Sequence, residues 1–382
     1  MLDFSRLQAH MDMLHDECGI PTCDVIVCHE GKPVYRYMTG MANLSHRKTV
    51  GDDTLYFLYS CTKPITAAAG MQLVERGVIS LDDPVAAYLP EYANAFILEN
   101  GSKVTVGREM TIRHLFTMSA GLTYDLGSSS ISDRRAALGN KASTRNMVPA
   151  FIQEPLSFRP GERFQYSLCL DVLAAVIEVA SGRSFGKYLK ENIFDPLGMT
   201  DTGFHPNAEQ AARIADQYAA AQDGTIRSIA KSIGGFRITE AYESGGAGLF
   251  SSTADYAKFA VAMSLGGISP EGVRILKPET VKQMSAQQMG SYVVCGNFSC
   301  AAGPGYGYGL GVRTLIDRSA GQRSHLGEIG WDGAAGAYIL MDPDAKMAIV
   351  YMQHVREWPN IKVPTGHIHI PIRDLAYDIL GV

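Results

Sequence analysis

A serine hydroxyl attacks a carbonyl poorly at neutral pH unless a neighbouring group takes its proton. One arrangement puts a lysine three residues later, one helical turn on, with its amine beside the serine oxygen. Ser60-Cys61-Thr62-Lys63 has that spacing. The same spacing recurs at Ser45, Ser184 and Ser228, so spacing alone selects nothing. Context does. Ser45 and Lys48 fall in a polar loop, Ser184 and Lys187 open a surface helix, and Ser228 and Lys231 lie in a Gly-flanked segment. Only Ser60 follows a buried-looking run, Leu55-Tyr56-Phe57-Leu58-Tyr59, and leads into a small-residue helix, Thr66-Ala67-Ala68-Ala69-Gly70. A serine at such a junction faces a cleft, and its own N–H stands at the positive end of the helix. A plain N-cap serine is the competing reading.

Other chemistries lack their residues. The chain has no G-x-S-x-G elbow, no H-E-x-x-H helix and no phosphate-binding loop. The glycines from Gly303 to Gly309 are interleaved with Pro304, Tyr306 and Tyr308, which fits a strand entry. Seven cysteines (18, 23, 28, 61, 169, 295, 300) are an odd number in a long chain and read as free thiols. Their spacings do not match the C-x2-C pairs of zinc sites. His367 and His369 alternate with isoleucines, as on a strand with one polar face, and read as structural. No metal and no cofactor is expected. With 34 basic and 39 acidic residues, scattered, the chain has no basic face for nucleic acid. No apolar run approaches the roughly 18 residues of a membrane span. The amphipathic, acid-carrying start (Asp3, Leu7, Met11, Leu14) has no basic or apolar export region, which predicts a cytoplasmic protein.

The elements that must position Ser60 follow from periodicity. A length of 382 residues predicts two lobes. Residues 24–28 and 33–37 are β-rich runs around His29-Glu30-Gly31-Lys32, a hairpin. Helical patterns cover 66–76, 111–118, 168–180 and 255–265, the last with a Ser-Ser-Thr cap at 251–253. Residues 127–165 are expected to cover a cleft with helices. Strand patterns return at 308–316, 336–341 and 346–353, with Asp342-Pro343-Asp344 as a turn, and a helix closes the chain at 372–380. The expected fold is α/β plus all-α: an antiparallel sheet flanked by helices and built from both chain ends, with an inserted helical domain. The boundaries are 1–60 and 245–382 for the sheet domain and 61–244 for the helical one, with the active site between them.

Further blocks surround Ser60 and Lys63 along the chain. They are Val78-Ile79-Ser80-Leu81-Asp82-Asp83-Pro84-Val85, Thr111 to Leu122, Pro160-Gly161-Glu162-Arg163-Phe164-Gln165-Tyr166-Ser167, Phe194-Asp195-Pro196-Leu197-Gly198-Met199 and Gly248-Leu249-Phe250-Ser251-Ser252-Thr253. In order and spacing they resemble the serine β-lactamase and penicillin-binding-protein superfamily, nearest the class C β-lactamases and the family VIII carboxylesterases. The resemblance implies a β-lactamase/transpeptidase-like fold. Its second box, Tyr-x-Asn, reads here Tyr166-Ser167-Leu168, so the tyrosine matches and the asparagine does not. By resemblance Tyr166 relays the proton between serine and leaving group while Lys63 sets the electrostatics. A nearby ammonium would lower the tyrosine pKa. The sequence leaves open which of the two is the base.

The third box of the family carries Lys or His, a small residue, then Gly. His325-Leu326-Gly327 and Trp331-Asp332-Gly333 compete for it. Spacing to the Asp342-Pro343 turn favours Trp331, and a Trp-x-Gly box resembles the family VIII esterases. Ala334 then supplies an N–H to the oxyanion hole together with that of Ser60, each such donor worth roughly 3 kcal/mol of barrier. Gly333 and Gly336 give the substrate room, Tyr124 resembles a cleft-wall tyrosine, and His325 is structural or supports the site from behind. An uncharged Trp331 cannot hold a substrate carboxylate, and Leu168 offers no amide to an acylamino group. Both losses point to a carboxylesterase acting on small or medium acyl esters through an acyl-enzyme at Ser60, with a small-molecule ester as its partner. A β-lactamase, a D-amino-acid peptidase or amidase, and an acyltransferase would use the same nucleophile. A non-catalytic binding protein of this fold would not retain Ser60, Lys63 and Tyr166 together.

Overall fold

A computed structural model describes residues 2–44, 46–106, 109–288 and 303–382 of the chain. Its main sheet draws on both ends of the sequence. The amino-terminal part gives helix α1 (Ser5–Asp16) and strands β1 (Thr22–His29), β2 (Lys32–Asn43) and β3 (Lys48–Thr49). The short strand β4 (Leu55–Phe57) follows, then helices α2 (Thr62–Glu75) and α3 (Cys169–Ser181). Strand β5 (Phe250–Ser252) and helix α4 (Thr253–Ser264) lead to β6 (Tyr306–Tyr308), β7 (Arg313–Leu315), β8 (Ile329–Asp332), β9 (Tyr338–Asp342) and β10 (Met347–Met352). Helix α5 (His369–Leu380) ends the fold. The eight-stranded order is β6-β7-β8-β9-β10-β1-β2-β3, antiparallel throughout.

Strands β9 and β10 are buried along their whole length because helices cover both faces of the sheet. Successive side chains of a strand point to opposite faces. Accordingly Tyr338, Leu340, Ile349 and Tyr351 pack with Leu7, Met11, Ile372 and Ala376 of α1 and α5, while Ile339, Met341, Val350 and Met352 join the core of Phe259 and Ala260 on α4. The expected hairpin forms with Val25 opposite Tyr37. Helix α4 starts where the Ser-Ser-Thr cap placed it, with Ser252 Oγ accepting the Asp255 N–H at 3.1 Å.

Three local expectations change. Residues 308–316 form two strands, not one, because Gly311 turns at φ +76° and donates its N–H to Phe116. His367 and His369 are not on a strand: His369 opens α5 and bonds the Gly336 carbonyl at 2.9 Å, so its role is structural although its setting is helical. Gly336 adopts φ +88°, and a Cβ there would strike Gln353, so it serves the turn after β8 and not substrate access. Cys295 and Cys300 lie outside the described residues. Cys18, Cys23, Cys28, Cys61 and Cys169 are free thiols. Among the described residues no group of three metal-ligating side chains occurs, and no helix is long and apolar enough to cross a membrane.

Helix α2 is buried from Thr62 to Leu73, which its alanines and glycine permit. A Cβ on Gly70 would come within 2.7 Å of the Phe116 ring. At the β6–β8 edge, Arg313 and Glu328 are fully buried and paired at 3.2 Å, and the guanidinium also donates to Ile339 O at 2.9 Å. Gly330 of β8 leaves the space that guanidinium fills. Removing one partner of such a pair strands the other charge in low dielectric. Arg313→Met should therefore cost about 3–5 kcal/mol, with much of the loss recovered in Arg313→Met/Glu328→Leu. Equilibrium urea unfolding of the two variants checks this.

Candidate active site

Ser60 sits in a single 3-10 turn, Tyr59–Cys61, between β4 and α2. Tyr59 takes φ +47°, a left-handed conformation that is costly for an aromatic residue and must be held by its surroundings. Its ring is fully buried, packs edge-on against Phe236 at 5.6 Å, lies 5.2 Å beneath the Arg356 guanidinium, and its hydroxyl bonds the Gln217 amide. Tyr256 donates to Cys61 O at 2.7 Å and Leu58 donates its N–H to Leu249 O at 2.9 Å. The turn that presents the serine is thus braced from several elements.

In the first turn of α2, Lys63 is fully buried, with Nζ 3.1 Å from Ser60 Oγ and donating to Gly246 O at 2.7 Å. From the loop before α3, the Tyr166 hydroxyl donates to Ser60 Oγ at 2.6 Å. Lys63 Nζ lies 4.5 Å from the Tyr166 ring centroid and 5.5 Å from that of Tyr124. The three residues singled out from sequence meet at one oxygen.

Burial pushes the Lys63 amine down to about 7, against an opposing pull from Asp171. A free amine is therefore abundant at neutral pH. The tyrosine differs from the expectation of a lowered pKa. Burial is the largest influence on Tyr166 and raises its phenol, with hydrogen bonds to Ser60 and the Trp331 side chain pulling only partly back. Charge on a phenolate loses more to desolvation here than those hydrogen bonds return.

Aromatic rings wall the cleft. Trp331 on β8 stacks on Tyr166 at 5.6 Å and 18°, and Tyr124 also stacks on Tyr166, at 5.3 Å and 19°. Phe236 stands edge-on to Tyr124 at 6.1 Å. After β8 the chain turns tightly, Gly333 donating to Ala337 O and Gly336 to Gly333 O. Among the described residues no acceptor takes the N–H of Ser60 or of Ala334, and both residues are partly exposed. Gly333 is needed for a different reason than the expected one: a Cβ there would lie 2.7 Å from Leu58 O, so glycine lets this turn close on the nucleophile's turn. Leu168 is 3% exposed, buried in the main core with its N–H on Thr123 O, and has little surface to offer a ligand. His325 is bonded to Asp342 at 3.0 Å, at the far end of β9 from Tyr338.

Sequence reasoning passed over Tyr59, Asp171 and Gly246. Asp171 carried a signal, an acid inside the apolar run that opens α3, and Gly246 another, in Gly245-Gly246-Ala247-Gly248. Nothing local announces the backbone of Tyr59.

Comparison with known proteins gives the family. The family described as Beta-lactamase matches residues 7–364. Esterase EstB of Burkholderia gladioli is 30% identical over 98% of this chain and 96% of its own. The lovastatin esterase of Penicillium rubens is 30% identical over 80% and 79%. Among solved structures, EstCE1, a hydrolase with promiscuous acyltransferase activity, superposes with a TM-score of 0.79 at 26% identity, covering 98% of each chain. The chain belongs to the beta-lactamase family.

Proposed function

We propose that the protein is a serine esterase in which Ser60 is the nucleophile, Lys63 its base and Tyr166 the acid for the leaving alcohol. The observation that carries this reading is the convergence of the Lys63 amine and the Tyr166 phenol on Ser60 Oγ, at 3.1 and 2.6 Å. Lys63 takes the hydroxyl proton as Oγ attacks the ester carbonyl. The oxyanion is received by the N–H groups of Ser60 and Ala334. On collapse the alkoxide takes the Tyr166 proton and leaves as the alcohol while the Lys63 ammonium reprotonates the tyrosine, so a free amine and a phenol stand beside the acyl-enzyme. Water then gives a proton to the Lys63 amine and attacks, and the ammonium returns that proton to Ser60 Oγ as the acid is released. Every proton is accounted for over the cycle, and each group ends as it began.

The substrate follows from the walls. Tyr166, Tyr124 and Phe236 offer apolar faces, and Trp331, itself only 2% exposed, brings no charge to the third-box position where a substrate carboxylate would be held. A small-molecule ester with an apolar acyl chain is the substrate class that this surface fits. The two-lobed division with boundaries at 60 and 245 belongs to the same proposal, with the cleft between the lobes. A second reading has a specific basis. The path that releases the alcohol also admits one, so the acyl group can pass to an acceptor alcohol in place of water. EstCE1, described as having promiscuous acyltransferase activity, is a structural relative.

Two outcomes test the proposal. Ser60→Ala should lose at least about 1,000-fold in p-nitrophenyl butyrate hydrolysis while keeping its circular dichroism spectrum. Wild type should turn over a chromogenic cephalosporin at no more than about a hundredth of the ester rate, and butyl butyrate should form when 1-butanol is added. Ester hydrolysis that survives Ser60→Ala overturns the site. The second outcome concerns pH. Lys63 must be a free amine to act as base, so kcat/KM should fall as pH drops through about 7, the value to which burial brings the amine, and level off above it. A flat profile from about pH 5 to 8 would remove Lys63 from the base role.

A further inference from the structure

Helix α3 is buried from Cys169 to Ile177, and one residue of that stretch is an acid. Asp171 is 1% exposed, in the first turn of the helix. A carboxylate in such a place is costly unless neighbours compensate it. The hydroxyls of Tyr242 and Ser244 donate to its Oδ1 at 2.9 and 2.6 Å. Its Oδ2 is turned toward Gly246, on whose other side stands Lys63. A Cβ on Gly246 would lie 2.5 Å from Asp171 Oδ2 and 3.5 Å from Lys63 Nζ. The bare glycine is what allows the carboxylate and the amine to come this close, while its carbonyl accepts from Nζ at 2.7 Å.

Other groups face the same amine. Asp332 of β8 attracts its charged form, and Cys61 beside it and Cys169 on α3 would do so only as thiolates. Both thiols are raised by burial and stay neutral. The rings of Tyr166 and Tyr124 lie against it, and their phenols are raised by burial and stay neutral too. Asp171 exerts the strongest attraction among these groups. Its own carboxyl is raised by burial and drawn back by Ser244, Lys63 and Tyr242.

We propose that Asp171 is a positioning residue for catalysis, holding Lys63 against Ser60 across Gly246 and stabilising the ammonium that forms when the serine proton moves to Nζ. The inference rests on the reading of Lys63 as base. In that step the Ser60 O–H bond breaks, an N–H bond forms on Lys63, and the Oγ electron pair goes to the substrate carbonyl carbon. A full positive charge appears on a buried nitrogen. A fixed negative charge behind it favours that state in a low dielectric, where charges interact strongly. The same charge raises the amine's affinity for protons. Removing it should therefore slow the reaction and also shift its acid limb to lower pH. A merely structural role would slow the reaction without moving the limb.

The experiment is the pH dependence of kcat and KM for p-nitrophenyl butyrate in wild type, Asp171→Asn, Asp171→Glu and Tyr242→Phe, with fluorophosphonate labelling of Ser60 in each. For Asp171→Asn the acid limb should move down by at least about half a pH unit. Its kcat plateau should drop about 10- to 100-fold, with KM within about twofold. Asp171→Glu should restore part of the limb's position. Tyr242→Phe weakens the hold on the carboxylate and should shift the limb the same way, by less. A limb that stays in place in Asp171→Asn while Ser60 still labels overturns the inference and leaves the nucleophile standing. If Asp171→Asn does not fold, an unmoved limb in Tyr242→Phe overturns it equally. A wild-type enzyme without the limb, or whose Ser60 does not label, shows instead that the parent reading fails, and the inference falls with it.

Discussion

The burial of one amine organises this molecule. A lysine in water is an ammonium at neutral pH and has no lone pair to offer a serine. Lys63 acquires one because α2 is enclosed along its first three turns, and desolvation brings the amine down to about 7. The small residues that first marked the helix in sequence have that consequence. Ala67, Ala68, Ala69 and Gly70 let Phe116, the Gly311 turn and α3 close against α2. Packing density and basicity are here the same property viewed at two scales. A cavity beside α2 that admitted water would rehydrate the ammonium and weaken the base with no change in any catalytic side chain.

The sheet contributes the other half of the site by a different route. Strand β8 carries Trp331 to the Tyr166 ring and delivers the Gly333–Gly336 turn to the serine. It is held on one side by β9 and on the other by β7, whose Arg313 reaches through the gap at Gly330 to Glu328 and Ile339 O. A buried ion pair contributes little net stability, but it fixes one arrangement of the strands it joins. The strain at Tyr59 has a similar role. A left-handed aromatic persists only where its neighbours over-determine it, and Gln217, Arg356 and Phe236 come from three separate parts of the chain.

Much of this was legible in the linear chain, and the limits of legibility are physical. Ser60 and Lys63 are one helical turn apart, so local spacing reports their contact. Strands β9 and β10 announce themselves by continuous apolar runs around Asp342-Pro343-Asp344, and the fold class follows from strands at both ends. Long-range contacts are invisible to such patterns. Gly246 meets Lys63 across 183 residues, and no periodicity encodes that approach. His367 and His369 mimicked a strand because alternation over four residues cannot be told from a helix start. The sign of the Tyr166 shift was missed for a related reason: sequence shows which charges are near, whereas desolvation depends on how much protein surrounds the ring.

Desolvation of the Tyr166 ring also bears on why an uncharged residue stands at position 331. Trp331 hydrogen-bonds and stacks on Tyr166, whose ring in turn lies against Lys63. A lysine or protonated histidine at the same place would act on both groups at once. It would draw the phenol toward phenolate, and it would repel the ammonium that Lys63 becomes when it takes the serine proton. Tyrosine would then gain as base what lysine lost. With tryptophan there, the phenol stays protonated and the amine keeps its share of the proton. In the proposed mechanism the choice at this position therefore bears on which of the two partners accepts the serine proton, in addition to which substrates find a counter-charge.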